Sequence, residues 1–203
     1  KYVLKALLQL VTQSLSQKRY INLWPHTVAI LIGGQSTRMG TPKHLVTLPT
    51  RKTMVETMIE FAEKTASNTV VVGGTLQGAT CIPDLRSSKG PVAGIEALLD
   101  SGLDSEYLIV GCDMPLLQPK HIEKLLVGED NTIFTHNGSL LGLPIRLFGN
   151  TLQSCTEYLQ EKKSSIRGFV KSVPHCVVTL PPSYVPFVTS LNTKNDITGA
   201  FSK

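Results

Sequence analysis

A chain that carries the run His26-Thr-Val-Ala-Ile-Leu-Ile32 and stops it on Gly33-Gly34 has few ways to fold. A strand covered on both faces reads as a nearly unbroken apolar stretch of roughly 4 to 8 residues, whereas a half-exposed strand alternates and a helix repeats every ~3.6. Comparable runs lie at 69–72 and 107–110. Between them stand helical stretches. One is 54–64, with Val55, Met58, Ile59 and Ala62 at helical spacing; the other is 92–99, opened by Gly90-Pro91, where the missing proline N–H leaves no bond unmade. Strand, helix, strand, helix in this rhythm implies an α/β fold of three layers, α/β/α, with a mostly parallel central sheet and right-handed crossovers. The second half is less regular. Strands are expected at 132–135, 140–148 and 176–180, helices at 122–127 and 151–162, then a turn at Pro181-Pro182 and a last helix near Asp196.

The 203 residues suit one domain over 25–203 with an appendage at 1–24, where Val3, Leu4, Leu7, Leu8, Val11 and Leu15 recur at helical spacing. This amphipathic helix packs on the body or joins an upstream partner; Gln9, Thr12 and Gln13 interrupt it too early for a signal peptide. With 41% hydrophobic and 17% charged residues the chain is neither disordered nor membrane-spanning. Its net charge of +5 is spread without a basic run, which favours a small anionic ligand over nucleic acid. Cys81, Cys112, Cys155 and Cys176 form no C-x-x-C pair, so neither a zinc site nor a disulfide framework is expected. Reduced, buried thiols in a cytoplasmic protein are the reading.

In open α/β sheets ligands sit beyond the carboxyl ends of the strands. The first such loop, Gly33 through Lys43, is glycine-rich and basic together. Its glycines let backbone N–H groups approach phosphate oxygens or a base edge, while Arg38 and Lys43 can neutralise a polyphosphate. Familiar phosphate loops fail on spacing, because Gly34 to Gly40 encloses five residues and Lys43 comes three later. Nor is Ser36 a hydrolase elbow, since Arg38 stands where the second glycine belongs. The third run ends Gly111-Cys-Asp-Met-Pro115, and a strand-tip Asp113 is suited either to hold Mg²⁺ against phosphate oxygens or to cap a helix. Asp84 and the Gly90-Pro-Val-Ala-Gly94 stretch add a second carboxylate and a second close-approach loop to that edge. Ser190-Leu-Asn-Thr-Lys-Asn-Asp196 supplies amides in what alone reads as a capping sequence.

Together these four elements resemble the molybdenum cofactor guanylyltransferase family. Its first loop, L-A-G-G-x-S-x-R-M-G followed by Lys, is matched by Leu31-Ile-Gly-Gly-Gln-Ser-Thr-Arg-Met-Gly40 and Lys43. Its G-P-L-A-G is matched at 90–94, its C-D-x-P at 112–115 and its closing N-T-x-x-D at 192–196, in the same order. The resemblance implies a Rossmann-like, glycosyltransferase-A-like nucleotidyltransferase. It would transfer GMP from GTP to the phosphate of molybdenum-molybdopterin, releasing pyrophosphate. By position, Leu31, Ile32, Gly33, Lys43, Asp84 and Asp113 would contact GTP, Asp113 would also hold Mg²⁺, and Asn192 would contact the pterin. Arg38, Lys43 and Asp113 would be catalytic, and a protein that delivers or receives the cofactor is an implied partner.

The chain also departs from the pattern. Ile32 replaces the common Ala, Pro42 stands where relatives place Asp, and Gly73-Gly74 replaces a nucleotide-contacting Asn, a contact that is not carried over. Leu143-Pro-Ile145 resembles the substrate-side strand, while His44, His121, His136 and His175 read as surface or capping residues. Two other readings stay open: a cytidylyl- or sugar-phosphate nucleotidyltransferase of the same fold, and a nucleotide-binding module without catalysis.

Overall fold

The computed structural model describes residues 27–32, 41–86 and 90–202. The helix expected at 1–24 and the loop residues Gly33 and Arg38 lie outside them. The first strand, β1 (Thr27–Leu31), is buried at every position, as its unbroken apolar run requires. Helix α1 (Met54–Glu63) begins at a capping box: Thr53 Oγ1 accepts from the Glu56 N–H at 3.2 Å, and Glu56 Oε2 accepts from the Thr53 N–H at 2.7 Å. It leads to β2 (Asn68–Val72) and a two-residue edge strand, β3 (Cys81–Ile82). Helix α2 (Pro91–Asp100) has Gly90 as N-cap at φ +71° and Pro91 in its first turn, and buries every residue from Val92 to Leu99. It returns the chain to β4 (Glu106–Gly111).

Strand β5 (Thr132–His136) and the ten-residue β6 (Ser139–Phe148) form a hairpin. Its turn is Asn137-Gly138, with φ +49° and +73°, the left-handed pair that a tight hairpin needs. Helices α3 (Leu152–Gln160) and α4 (Ile166–Lys171), strand β7 (Cys176–Thr179), and helices α5 (Val185–Val188) and α6 (Lys194–Phe201) complete the chain. The seven strands lie in the order β3-β2-β1-β4-β6-β5-β7. All pairings are parallel except those of β6, which runs antiparallel to β4 and β5.

Strand alternation divides the apolar side chains into two cores, one per face. Val28, Ile30, Val71 and Leu108 meet α1 on one side. Ala29, Leu31, Val72 and Ile109 meet α2, α3 and α4 on the other. The outcome is the expected layered, mostly parallel α/β architecture. Among the described residues no helix is long and apolar enough to cross a membrane.

Two expectations need correction. The helix placed at 122–127 is instead two 3₁₀ turns, Pro119–His121 and Glu123–Leu126. Ile122 between them has a widened φ of −110°, and its carbonyl accepts from Leu125 N–H in the short i→i+3 manner. The thiols are free, but only Cys112 and Cys155 are buried; Cys81 is half-buried and Cys176 exposed, because β7 is an edge strand with an open face.

One close approach fixes α3 against α4. The Tyr158 hydroxyl donates to the Ser165 carbonyl at 3.1 Å, passing over Gly168 so tightly that a Cβ there would stand 2.1 Å from it. Gly168→Ala is therefore expected to lower stability by about 1 to 3 kcal/mol in denaturant unfolding. Adding Tyr158→Phe should recover part of that loss.

Candidate active site

The site begins where β1 and β4 end side by side. Leu31 pairs with Gly111, the Cys112 N–H donates to the Leu31 carbonyl at 3.0 Å, and the Ile32 N–H donates to the Val72 carbonyl at 3.0 Å. The chain thus leaves the sheet at Ile32 and at Asp113 on neighbouring strands. Gly111, the last residue of β4, is needed for the room it leaves. A Cβ there would lie 2.5 Å from Asp113 Oδ1, so only glycine lets the carboxylate fold back over the strand tip.

Lys43 meets that carboxylate from a short 3₁₀ turn, Lys43–Leu45, that follows Pro42. Its Nζ donates to Asp113 Oδ2 at 2.5 Å and to Asn192 Oδ1 at 2.6 Å. Three segments distant in sequence therefore share one ammonium group. Asn192 is held by the last helix: Asp196 Oδ2 accepts from the N–H groups of Asn192 and Thr193 at 2.7 and 2.8 Å. These donors keep the Asp196 carboxyl below its usual range. The Leu191 N–H also donates to the Asp113 carbonyl at 2.8 Å, which ties this loop to the strand tip.

Asp84 follows β3. One of its oxygens lies 3.1 Å from where a Cβ on Gly94 would stand, with Leu31 Cδ2 and Val72 Cγ1 at 3.5 and 3.0 Å from the same point. Burial pushes its carboxyl upward, and among the described residues it has no hydrogen-bond partner. The residue stands exposed at the rim, and a carboxyl without such a partner there is suited to accept from a ligand. Leu31 and Ile32 are buried, so they can offer a ligand little but backbone.

Beyond Asn192 opens a cleft of about 760 Å³ between β6, α4 and the segment before α6. Leu143 and Val185 give it an apolar wall, Ser165 and Ser190 hydroxyls, and Arg167 a cation. Arg167 Nε donates to the Leu141 carbonyl at 3.3 Å. Its stem crosses Gly142, which has φ +91°. Pro91 and Asn192 also line this cleft, so it adjoins both the α2 loop and the Lys43–Asp113 pair. A smaller hollow of about 270 Å³ beside Asn131 and Asn150 lies at the opposite end of the sheet.

No activated thiol or imidazole is found among the described residues near these groups. Burial, then Asp113, pushes the Cys112 thiol up to about 12. Burial, then Lys120, pushes His121 down to about 4, and its Nδ1 accepts from the Gln118 N–H as a turn cap. No cluster of three or more metal-ligating side chains occurs among the described residues. What the arrangement offers is one strand-tip carboxylate, one cation shared across it, a second carboxyl at the rim and an adjoining cleft. Sequence reasoning missed Arg167 and the cleft, which form only when α4 packs across β6.

Known proteins share this architecture. Residues 28–176 match the MobA-like NTP transferase domain. A probable molybdenum cofactor guanylyltransferase of Carboxydothermus hydrogenoformans is 31% identical, covering 84% of this chain and 92% of that one. The molybdenum cofactor guanylyltransferase of Xanthomonas euvesicatoria is 28% identical over 70% of this chain and 75% of its own. Among solved structures, molybdopterin-guanine dinucleotide biosynthesis protein A from Archaeoglobus fulgidus superposes with a TM-score of 0.74 at 22% identity, covering 87% of this chain and 97% of that chain. The 2-C-methyl-D-erythritol 4-phosphate cytidylyltransferase of Thermus thermophilus shares the fold at a TM-score of 0.63 and 13% identity, over 88% and 98% of the two chains.

The glycine at the tip of β4 gives a direct check. Gly111→Ala should fold and melt close to the wild type, because the obstacle is the end of a rotatable side chain. A crystal structure of the variant should show Lys43 Nζ more than about 4 Å from the Asp113 carboxylate, beyond ion-pair distance.

Proposed function

The chain belongs to the MobA-like NTP transferase family, and we propose that it transfers GMP from GTP to the phosphate of molybdenum-molybdopterin, forming the guanine dinucleotide and releasing pyrophosphate. The observation that carries the reading is the meeting of Lys43, Asp113 and Asn192 at the border between the strand-tip loops and the large cleft. A nucleotidyl transfer needs such a border, because donor and acceptor phosphates must face each other across it. The relatives' names supply the acceptor and the base.

In the proposed reaction an oxygen of the acceptor phosphate attacks the α-phosphorus, a new P–O bond forms, and the bond to the β-phosphate breaks. An ionised phosphate is already a nucleophile, so no general base is called for, which agrees with the neutral Cys112 and His121. Catalysis then rests on alignment and on charge. Lys43, with Arg38, stabilises the negative charge that grows on the leaving pyrophosphate. Leu31, Ile32 and Gly33 present backbone to the nucleotide, and Asp84 accepts a hydrogen bond from it. Asn192 orients the pterin end of the acceptor from the rim of the cleft.

Asp113 is the residue that would hold Mg²⁺. Its Oδ1 accepts no hydrogen bond among the described residues, and a single hard carboxylate suits an ion that keeps phosphate oxygens and water for the rest of its shell. Bound there, Mg²⁺ would supply neutralisation of phosphate charge. The reading includes a cytoplasmic protein, residues 25–203 acting as one domain, a partner that delivers or receives the cofactor, and no nucleic-acid or membrane partner.

Pyrophosphate release from GTP with Mg²⁺ and molybdenum-molybdopterin tests the reading, and GTP binding without release would refute it. Lys43→Ala should lower kcat/KM by roughly 10² to 10³. In thermal unfolding GTP should stabilise by about 2.7 kcal/mol at a hundredfold excess over its Kd, and CTP or ATP at the same concentration by less. Asp113→Asn should erase the increment added by Mg²⁺ and leave the unliganded melting temperature near that of the wild type.

A further inference from the structure

Glu96 is a carboxylate inside α2 with a side chain only 4% exposed, in a helix otherwise buried among apolar residues. It is fully engaged. Arg86 Nε donates to Oε2 at 2.6 Å and an Arg86 terminal amine donates to Oε1 at 2.8 Å, a bidentate fork; Thr156 Oγ1, from α3, donates to Oε1 at 2.9 Å. The fork holds the Glu96 carboxyl below its usual range although burial pulls the other way. No hydrogen bond among these three residues reaches Lys43, Asp113 or Asn192.

The position of the fork gives it a purpose. Asp84 rests against Gly94, and two residues further along both segments Arg86 grips Glu96. The chain after β3 is thus docked along α2 at two points in register. The Asp84–Gly94 point is a close approach with no hydrogen bond among the described residues and cannot fix the carboxyl by itself. The Arg86–Glu96 point is directional and charge-assisted, and Thr156 ties it to a second helix. Only the Glu96 end of the pair is buried, Arg86 being partly exposed, and such a pair adds little to stability compared with apolar side chains of similar size, so its place here needs another reason.

We propose that Arg86 and Glu96 are positioning residues: their fork sets the loop that carries Asp84 and so fixes the nucleotide's affinity without touching it. This rests on the reading that Asp84 contacts GTP. The pair Arg86→Leu with Glu96→Leu removes the fork together with the buried charge. That double variant should melt at or above the wild-type temperature, yet raise KM for GTP about tenfold with kcat at saturating GTP within about twofold. Arg86→Lys keeps the charge and loses the fork, and because position 86 is partly exposed it tests the same point should the double variant fail to fold. It too should raise KM more than it lowers kcat. An unchanged KM for GTP in a folded variant overturns the proposal. The Kd for GTP, from thermal shift or calorimetry, separates the two readings. A wild type that binds GTP but releases no pyrophosphate overturns the transfer reading alone, while a Kd raised by the same factor in the variants still supports the fork.

Discussion

The register between β1 and β4 is the constraint on which the rest depends. Leu31 stands opposite Gly111, so Ile32 and Asp113 emerge at one edge of the sheet, and the Cys112 N–H closes the last bond onto the Leu31 carbonyl. A slip by one residue would turn every side chain of a strand to the wrong face, placing Val28 and Ile30 among α2 and its neighbours and Ala29 and Leu31 under α1. Because both cores are filled, that slip is costly, and the packing of the two layers holds the strand tips in place. The site's geometry is therefore inherited from burial rather than maintained by the few polar bonds within it.

On that edge, absent side chains matter as much as present ones. Gly111 makes room for the Asp113 carboxylate, and Gly94 makes room for Asp84. In each case a glycine sits under a carboxyl that must lie close to backbone. Lys43 then joins Asp113 to Asn192, which lies 149 positions after the lysine, and the capping box of α6 holds Asn192 in turn. The capping sequence at 192–196 thus does what its pattern says on its own, and its first residue does something more.

Much of this was legible in the sequence where burial writes a simple pattern. The runs at 27–31, 69–72 and 107–110 lie on doubly covered strands, and the periodicity at 54–63 and 92–99 reports one layer each. Patterns shorter than a helical turn or two were not legible: β3 has two residues, α5 has four, and the 3₁₀ turns at 119–126 mimic a helix with Ile122, Leu125 and Leu126. Two local signals were available. Asn137-Gly138 marks the β5–β6 hairpin, and Ser165, whose side chain accepts from the Gly168 N–H, marks the start of α4. The Glu96 fork had no such signal, since an acidic residue in an apolar helix acquires its partner only when the chain after β3 folds back.

The departures around the strand-tip loops follow the same logic of space. Ile32 and Gly74, at two of the departures from the family pattern, share one packing site. A Cβ at position 74 would stand 2.8 Å from Ile32 Cδ1, so the larger residue occupies the volume that a side chain at 74 would need. Reversing either alone is unequal. Restoring a side chain at 74 forces the end of Ile32 to move, whereas trimming Ile32 to alanine leaves a gap beside a glycine with nothing to fill it. Apolar contact fills this corner, and the polar groups of the edge, Asp84 and the Lys43–Asp113 pair, lie outside it.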